Sequence, residues 1–322
     1  MLMKKKVVIV GGGFAGTNVL KRLMKNDAFE VTLVDKNNYN YFTPLIYQVA
    51  TGFIEPSSIS YPFRSLISGQ KNAHFWLGTL KKILPEEQKI ILSNGELEYD
   101  ILILCTGTRT NYFGIENIRK FGIPMNSLND ALNMRNVLLQ RIEKATRAET
   151  AAEKEEWLTM VIAGGGPTGV EVSGMFAELR KQVILEEYPE LKEVKAKIYL
   201  VNSGDHLLKS MSEKSQKFVY KKLSSTYVDV LLNKRVKDFN GREVLLNDGS
   251  SIKSRNLIWA TGVKGRVFEG LPEDWYEAGN RLWVNEYHKL QKADHIYAIG
   301  DGSIMFSDKN SGLSLQTNCP IL

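Results

Sequence analysis

Two glycine clusters carry the first chemical signal. Gly11, Gly13 and Gly16 follow the apolar run Val7-Val8-Ile9-Val10, and Gly164, Gly166 and Gly169 follow Met160-Val161-Ile162-Ala163. A β-branched run, a Gly-x-Gly-x-x-Gly turn and a helical pattern together make a cradle for a pyrophosphate. The first glycine allows the tight turn, and the second lets backbone approach the phosphates. The third lets helix pack on strand, and the helix N-terminus favours the anion. In the first copy, Val31-Thr32-Leu33-Val34 ends on Asp35, about 20 residues past the turn, where a carboxylate binds the hydroxyls of an adenosine ribose. In the second copy the matching run, 197–201, ends on Asn202. The carboxylate that selects a free 2′-hydroxyl is missing there. No arginine stands beside Asn202 in the sequence either, so the balance leans to NADH over NADPH.

The elements needed to position these residues are also written twice. Ile90-Ile91-Leu92-Ser93-Asn94-Gly95 leads to the buried-strand pattern 100–104 and then Cys105-Thr106-Gly107. Val244-Leu245-Leu246-Asn247-Asp248-Gly249 leads to Leu257-Ile258-Trp259 and then Ala260-Thr261-Gly262. Asn-Gly and Asp-Gly read as hairpin turns, and the apolar runs read as strands buried on both faces. The chain therefore holds two copies of one α/β unit. Between them, residues 129–156 are helical in character, with one apolar stripe and a charged remainder, and read as scaffold. Residues 39–68 differ. They carry Tyr39, Tyr41, Phe42, Tyr47, Phe53, Tyr61 and Phe63, interrupted by Pro44, Pro56 and Pro62. That segment reads either as a packed loop or as the wall of an apolar ligand pocket.

Composition narrows the classes. The 322 residues suggest two domains, and 43% hydrophobic with 24% charged residues is the balance of a globular protein. A net charge of +6 with both signs interleaved permits attraction to an anionic membrane surface but does not argue for nucleic acid. Two cysteines, Cys105 and Cys319, exclude a disulfide framework and fit a reducing compartment. The four histidines are scattered without a metal-ligand spacing, so no metal is expected. No apolar stretch of about 18 residues is present for a membrane span.

A third element, Ala293-Asp294-His295-Ile296-Tyr297-Ala298-Ile299-Gly300-Asp301, is a β-rich run ending in Gly-Asp. With the two glycine turns, it resembles the flavin-binding end of the type II NADH:quinone oxidoreductases. The similarity runs from Val7 to Asp301. It includes Asn40-Tyr41-Phe42-Thr43-Pro44-Leu45-Ile46-Tyr47-Gln48-Val49-Ala50-Thr51-Gly52, which resembles the family's segment beside the flavin. It also includes Gly164-Gly165-Gly166-Pro167-Thr168-Gly169-Val170-Glu171, which resembles its NADH signature. The departures are Cys105, where alanine is common, and Asn202, where an acid is common.

The resemblance implies a fold of two Rossmann-like dinucleotide-binding domains, with the NAD domain inserted into a discontinuous FAD domain. The boundaries would be 1–118 for the first part of the FAD domain, 119–290 for the linker helix and NADH domain, and 291–322 for the second FAD part. FAD would contact Gly11, Gly13, Phe14, Ala15, Gly16, Asp35, Lys36, Thr43, Thr106, Gly107, Gly300 and Asp301. NADH would contact Gly164, Gly166, Pro167, Thr168, Gly169, Asn202, Thr261 and Gly262. Hydride transfer needs the two rings stacked with reacting atoms about 3–3.5 Å apart, and the acceptor quinone takes up two protons. Glu171 is the candidate for influencing that region, against the plainer role of orienting the nicotinamide amide or capping backbone donors. Gln48 is the candidate on the quinone side, against an amide satisfied by nearby backbone.

The resemblance also implies a peripheral protein on the cytoplasmic side of the bacterial plasma membrane, possible homodimerisation and no proton pumping. A helix should follow Asp301, and family members continue well beyond this length with membrane-lying helices. The chain therefore reads as C-terminally shortened, with 307–312 as loop and the membrane-binding part outside it. The alternatives are a ferredoxin reductase or sulfide:quinone reductase, or a nucleotide-binding module without turnover.

Overall fold

The computed structural model describes residues 3–306 and 314–316. Its contacts divide the chain into two units. The first holds residues 1–41, 60–109 and 263–322, and the second holds 42–59 and 110–262.

In the first unit five parallel strands lie in the order Ile296–Ala298, Ile101–Leu104, Lys5–Val10, Phe29–Asp35, Ala73–Leu77. The opening apolar run is continuous because both its faces are covered. Val7 and Ile9 join Val31, Leu33 and the helical Leu20 in one core, while Val8, Val10 and Val34 point into the other with Ile83 and Ile90. Complete burial of a side chain such as Leu33 contributes roughly 1.5–3 kcal/mol. The second unit repeats the layout, with parallel strands in the order Ile123–Pro124, Asn256–Trp259, Met160–Ala163, Ile198–Val201, Val228–Leu231. Each unit adds a three-stranded antiparallel sheet. The Asn94-Gly95 turn joins Lys89–Leu92 to Gly95–Glu98, and Asp248-Gly249 lies between Glu243–Leu246 and Ser251–Lys253.

The helical stretch between the copies is two helices. Leu128–Thr146 starts at a capping box in which Ser127 and Asp130 each take up the other's backbone N–H, and Ala151–Leu158 is capped by Thr150.

The structure departs from the sequence reading in three places. Residues 263–290 join the first unit, so the chain returns to it well before 291. Residues 42–59 join the second unit. There the short helix Ile46–Ala50 packs on Leu128–Thr146 and Pro167–Leu179, with Val49 and Ala50 fully buried and Glu55 paired to Arg135 at 3.7 Å. The helix expected after Asp301 is a strand, Ser303–Phe306, parallel to Arg281–Val284. Ser303 bonds back to the Gly300 carbonyl through both its N–H and its hydroxyl, and Ile304 is buried, so the chain turns and enters a sheet. The loop expected at 307–312 and Cys319 lie outside the described residues.

Candidate functional site

The first cradle is built by overlap between glycines. Gly11 has φ +103°, and a Cβ on it would stand 2.4 Å from the Cys105 carbonyl oxygen and 3.0 Å from the Thr106 Cα. A Cβ on Gly16 would stand 1.9 Å from the Gly11 carbonyl oxygen. These two glycines are demanded by packing. Gly13 is not, since no atom lies within 4 Å of its Cβ position. That open space above the N-terminus of the Phe14–Leu23 helix is where a pyrophosphate could approach.

Asp35 closes the turn from the strand end. Its carboxylate accepts the Gly12 N–H at 2.6 Å and the Asn37 N–H at 2.8 Å. Burial pushes its pKa above the ordinary carboxylate range, against the opposing pull of these donors and of Lys36. The other expected residues of this unit gather at the same sheet edge. A Cβ on Gly300 would lie 3.3 Å from the Ala15 Cβ, and one on Gly302 would lie 3.0 Å from the Gly107 carbonyl oxygen. Phe14, Lys36 and Asp301 are exposed, and the Asp301 carbonyl accepts the Arg281 Nε–H at 3.1 Å. Thr43 belongs to the second unit. The open cradle, the strand-end carboxylate and the convergent glycines are residues that fit an FAD.

The second cradle repeats these contacts. Gly164 has φ +116° and would meet the Ala260 carbonyl oxygen at 2.7 Å, Gly169 would meet the Gly164 carbonyl oxygen at 1.8 Å, and Gly166 would meet nothing within 4 Å. Pro167 opens the Pro167–Leu179 helix at a position whose N–H has no intrahelical partner, with Thr168 following. Asn202 takes the place of Asp35. Its Oδ1 accepts the Gly165 N–H at 3.1 Å, and its Nδ2 donates to the carbonyls of Gly204 at 3.1 Å and His206 at 2.9 Å.

A cavity of about 900 Å³ opens here, lined by Gly164, Gly166, Asn202, Thr261 and Gly262 of the expected set. The Thr261 hydroxyl is buried without a hydrogen-bond partner among the described residues, a polar atom left for a ligand. The cavity is large enough for a dinucleotide portion, and its residues fit one.

The fold adds residues that motif reading missed. Phe113 and Trp259 line the cavity, their rings edge-on at 6.4 Å, and the Trp259 Nε1–H donates to the Asn111 carbonyl at 2.8 Å. Lys234, Arg235, Lys237 and Asn247 line it too. The sequence offers no arginine beside Asn202, but the fold brings Arg235 to the same cavity. The available signal was topological: the strand after Asn202's own leads into the loop carrying Lys234 and Arg235.

Glu171 lies on the Pro167–Leu179 helix, one turn from the glycines. The residue is exposed, yet surrounding protein desolvates the carboxyl enough to push its pKa up. Gln48 is half-buried in the Ile46–Ala50 helix, which packs against that same helix, and its side-chain amide has no hydrogen-bond partner among the described residues. Cys105 is buried beneath Gly11. Among the described residues no group of three metal-ligating side chains forms, and no helix is long and apolar enough to cross a membrane.

The profile of the pyridine nucleotide-disulphide oxidoreductases matches residues 5–317. The type II NADH:quinone oxidoreductase Ndh of Mycobacterium tuberculosis is 31% identical over 92% of this chain and 67% of its own length. The chain belongs to the pyridine nucleotide-disulphide oxidoreductases, and within them to the type II NADH:quinone oxidoreductases. The mitochondrial external alternative NAD(P)H-ubiquinone oxidoreductase B2 of Arabidopsis thaliana is also 31% identical, over 92% of this chain. Of that relative's length the chain spans 54%. The Plasmodium falciparum NDH2 solved in complex with NADH superposes with a TM-score of 0.87 at 25% identity, over 94% of this chain and 65% of that one. The sulfide:quinone oxidoreductase of Aquifex aeolicus shares the fold, with a TM-score of 0.75 at 19% identity.

Proposed function

We propose that the first unit binds FAD and the second binds NADH, and that the protein to which this chain belongs passes electrons from NADH through flavin to a quinone without pumping protons. The observation that carries this reading is the doubled cradle. Each copy leaves its middle glycine open while its outer glycines are locked by packing, and the second copy faces a cavity with a buried hydroxyl that has no partner among the described residues. Bound flavin would supply the hydride and electron chemistry.

The chain's own residues supply position and protons. Asp35 would hold the adenosine ribose of FAD, and Gly13 would let backbone N–H groups reach its pyrophosphate. Thr261 would donate to, or accept from, the nicotinamide dinucleotide. Quinone reduction consumes two protons, and the raised pKa of Glu171 lets its carboxyl hold a proton at a pH where an ordinary glutamate has lost it. Gln48, on the neighbouring helix, is the proposed polar contact for the quinone carbonyl. The buried Cys105 is poorly placed for sulfur chemistry, which needs an accessible thiolate.

Attachment to the membrane surface and homodimerisation belong to the same reading. Relatives are named from mitochondria as well as from a bacterium, so the membrane concerned is a respiratory one, of which the bacterial plasma membrane is one case. The test is anaerobic titration of the FAD-reconstituted chain. Stoichiometric bleaching of the flavin by NADH, reversed by a short-chain quinone, is expected. Flavin that binds but does not bleach would sink the oxidoreductase reading.

A further inference from the structure

We infer that Phe113 is a fixed stacking surface for one planar heteroaromatic base of the dinucleotide, the adenine or the nicotinamide. The inference rests on reading the second unit as a nicotinamide dinucleotide site. Phe113 stands out because its backbone is strained while its ring is not buried. It sits at φ +51°, a left-handed conformation that is an outlier for a bulky side chain. Such strain persists only where the surroundings enforce it, and it gathers at ligand sites. Leu208 is also left-handed, at φ +52°, but it is only 5% exposed, so burial offsets its strain. Phe113 is 61% exposed and gains little that way.

Its neighbours hold it there. Asn111 Oδ1 accepts the Phe113 N–H at 2.9 Å, the Asn111 N–H donates to the Gly262 carbonyl at 3.2 Å, and the Asn111 carbonyl accepts the Trp259 Nε1–H at 2.8 Å. The turn is thus clamped to the end of the Asn256–Trp259 strand. Gly262 leaves the room the ring needs, since a Cβ on it would stand 2.6 Å from the Phe113 Cζ. Trp259 supports the ring in an edge contact, at an interplanar angle of 69°. The ring lines the same cavity as Gly166, and Ile115 and Val236 add apolar wall there, a lining suited to a base rather than to a phosphate. Strand order places the ends of Asn256–Trp259 and Ile198–Val201 on opposite sides of Met160–Ala163. A dinucleotide whose pyrophosphate crosses the glycine turn carries one base to each side, so one of the two reaches the Phe113 side. An aromatic face already fixed in place stacks a base with little further loss of side-chain freedom.

Calorimetric titration of the full chain with NADH, 5′-AMP, nicotinamide mononucleotide and ribose 5-phosphate, the last lacking a base, reads the stacking without turnover. Phe113→Ala should lower NADH affinity roughly tenfold, the scale of one base–aromatic stack, and leave ribose 5-phosphate unaffected. A parallel loss for 5′-AMP assigns the adenine to the ring, and one for nicotinamide mononucleotide assigns the nicotinamide. Phe113→Tyr should bind as the parent does, whereas Phe113→Leu, apolar but without a π-face, should behave as the alanine variant. Phe113→Asn suits the left-handed backbone, so it should hold or raise the denaturant midpoint while losing NADH affinity. Unchanged NADH affinity in Phe113→Ala, or parent affinity in Phe113→Leu, overturns the stacking and leaves the nucleotide reading standing. Equal losses for all four probes, or a lowered midpoint in Phe113→Asn, overturn it as well, because the ring then serves packing. A parent chain that binds neither NADH nor either mononucleotide overturns the nucleotide reading and the stacking together.

Discussion

The two cradles share a backbone and differ in what closes it. In both, the first and third glycines are locked against each other and against the crossing strand end, and the middle glycine faces open space. In both, a side chain at the end of the second strand accepts an N–H from the glycine turn, at 2.6 Å for Asp35 and 3.1 Å for Asn202. One closure carries a negative charge in a partly buried position and the other carries none. Around Asp35 the turn packs on Phe63, whose ring would lie 2.1 Å from a Cβ on Gly12. Around Asn202 the turn packs on Asn202 itself and Leu207. The turn thus needs a hydrogen-bond acceptor at the strand end but not a carboxylate. The charge can change with the ligand while the turn stays intact.

The largest effect should come from the glycines that the two copies share. Gly16→Ala and Gly169→Ala each drive a methyl into a carbonyl oxygen closer than 2 Å and should cost about 3 kcal/mol or more, read as a fall in the denaturant midpoint. If either variant matches the parent stability, the shared lock is not what holds the turns.

Next come the middle glycines. Gly13→Ala and Gly166→Ala meet no atom within 4 Å, so stability should change by less than about 1 kcal/mol. Flavin retention in the first variant and NADH binding in the second should fall at least tenfold, measured by absorbance after desalting and by calorimetry. Normal binding in both would show that the open space is not the phosphate site.

The strand-end exchange is smaller. Asp35→Asn keeps an acceptor for the Gly12 N–H, so the chain should fold, and FAD affinity should drop about tenfold through the lost bond to the ribose. Because burial raises the Asp35 pKa in the folded state, its ionisation costs stability as pH rises through that raised value. The asparagine variant should therefore lose less stability than the parent over that window.

The smallest effect is at Glu171. Its pKa is raised by desolvation, so the protonated form persists to higher pH and is lost as pH rises through the raised value. Quinone turnover should fall along that limb, and Glu171→Gln should be a few-fold slower and flat across it. A limb that survives the substitution assigns the proton to another group.

The repeated unit was legible because its signals are local and obligatory. Gly11 and Gly164 sit at positive φ against carbonyl oxygens, where no other residue fits without strain, and the strands beside them are apolar on both faces. What escaped was non-local or short. Arg235 comes to Asn202 only through strand order and loop hydrogen bonds. The 42–59 segment folds as helical pieces such as Thr43–Leu45, Ile46–Ala50 and Pro56–Ile59, too short to show a helical period, so its partner helices could not be read from it. Ser303–Phe306 is likewise too short for its pattern to separate strand from helix. Of the candidate pair, Glu171 and Gln48 were found from a resemblance. Their placement on two packed helices of one unit was not visible before folding.

That placement bears on the order of synthesis. The chain passes between the units at 41/42, 59/60, 109/110 and 262/263. As it leaves the ribosome, Ile46, Val49 and Ala50 emerge long before Leu128–Thr146 and Pro167–Leu179, the helices that cover them. The Lys5–Val10 strand likewise waits for Ile296–Ala298 to complete its sheet. Neither unit can finish co-translationally before the other has begun, so the nascent chain keeps an apolar helix uncovered until the Leu128–Thr146 and Pro167–Leu179 helices have followed it. The second cradle can be complete once residue 262 has emerged, whereas the first waits for Ile296–Ala298.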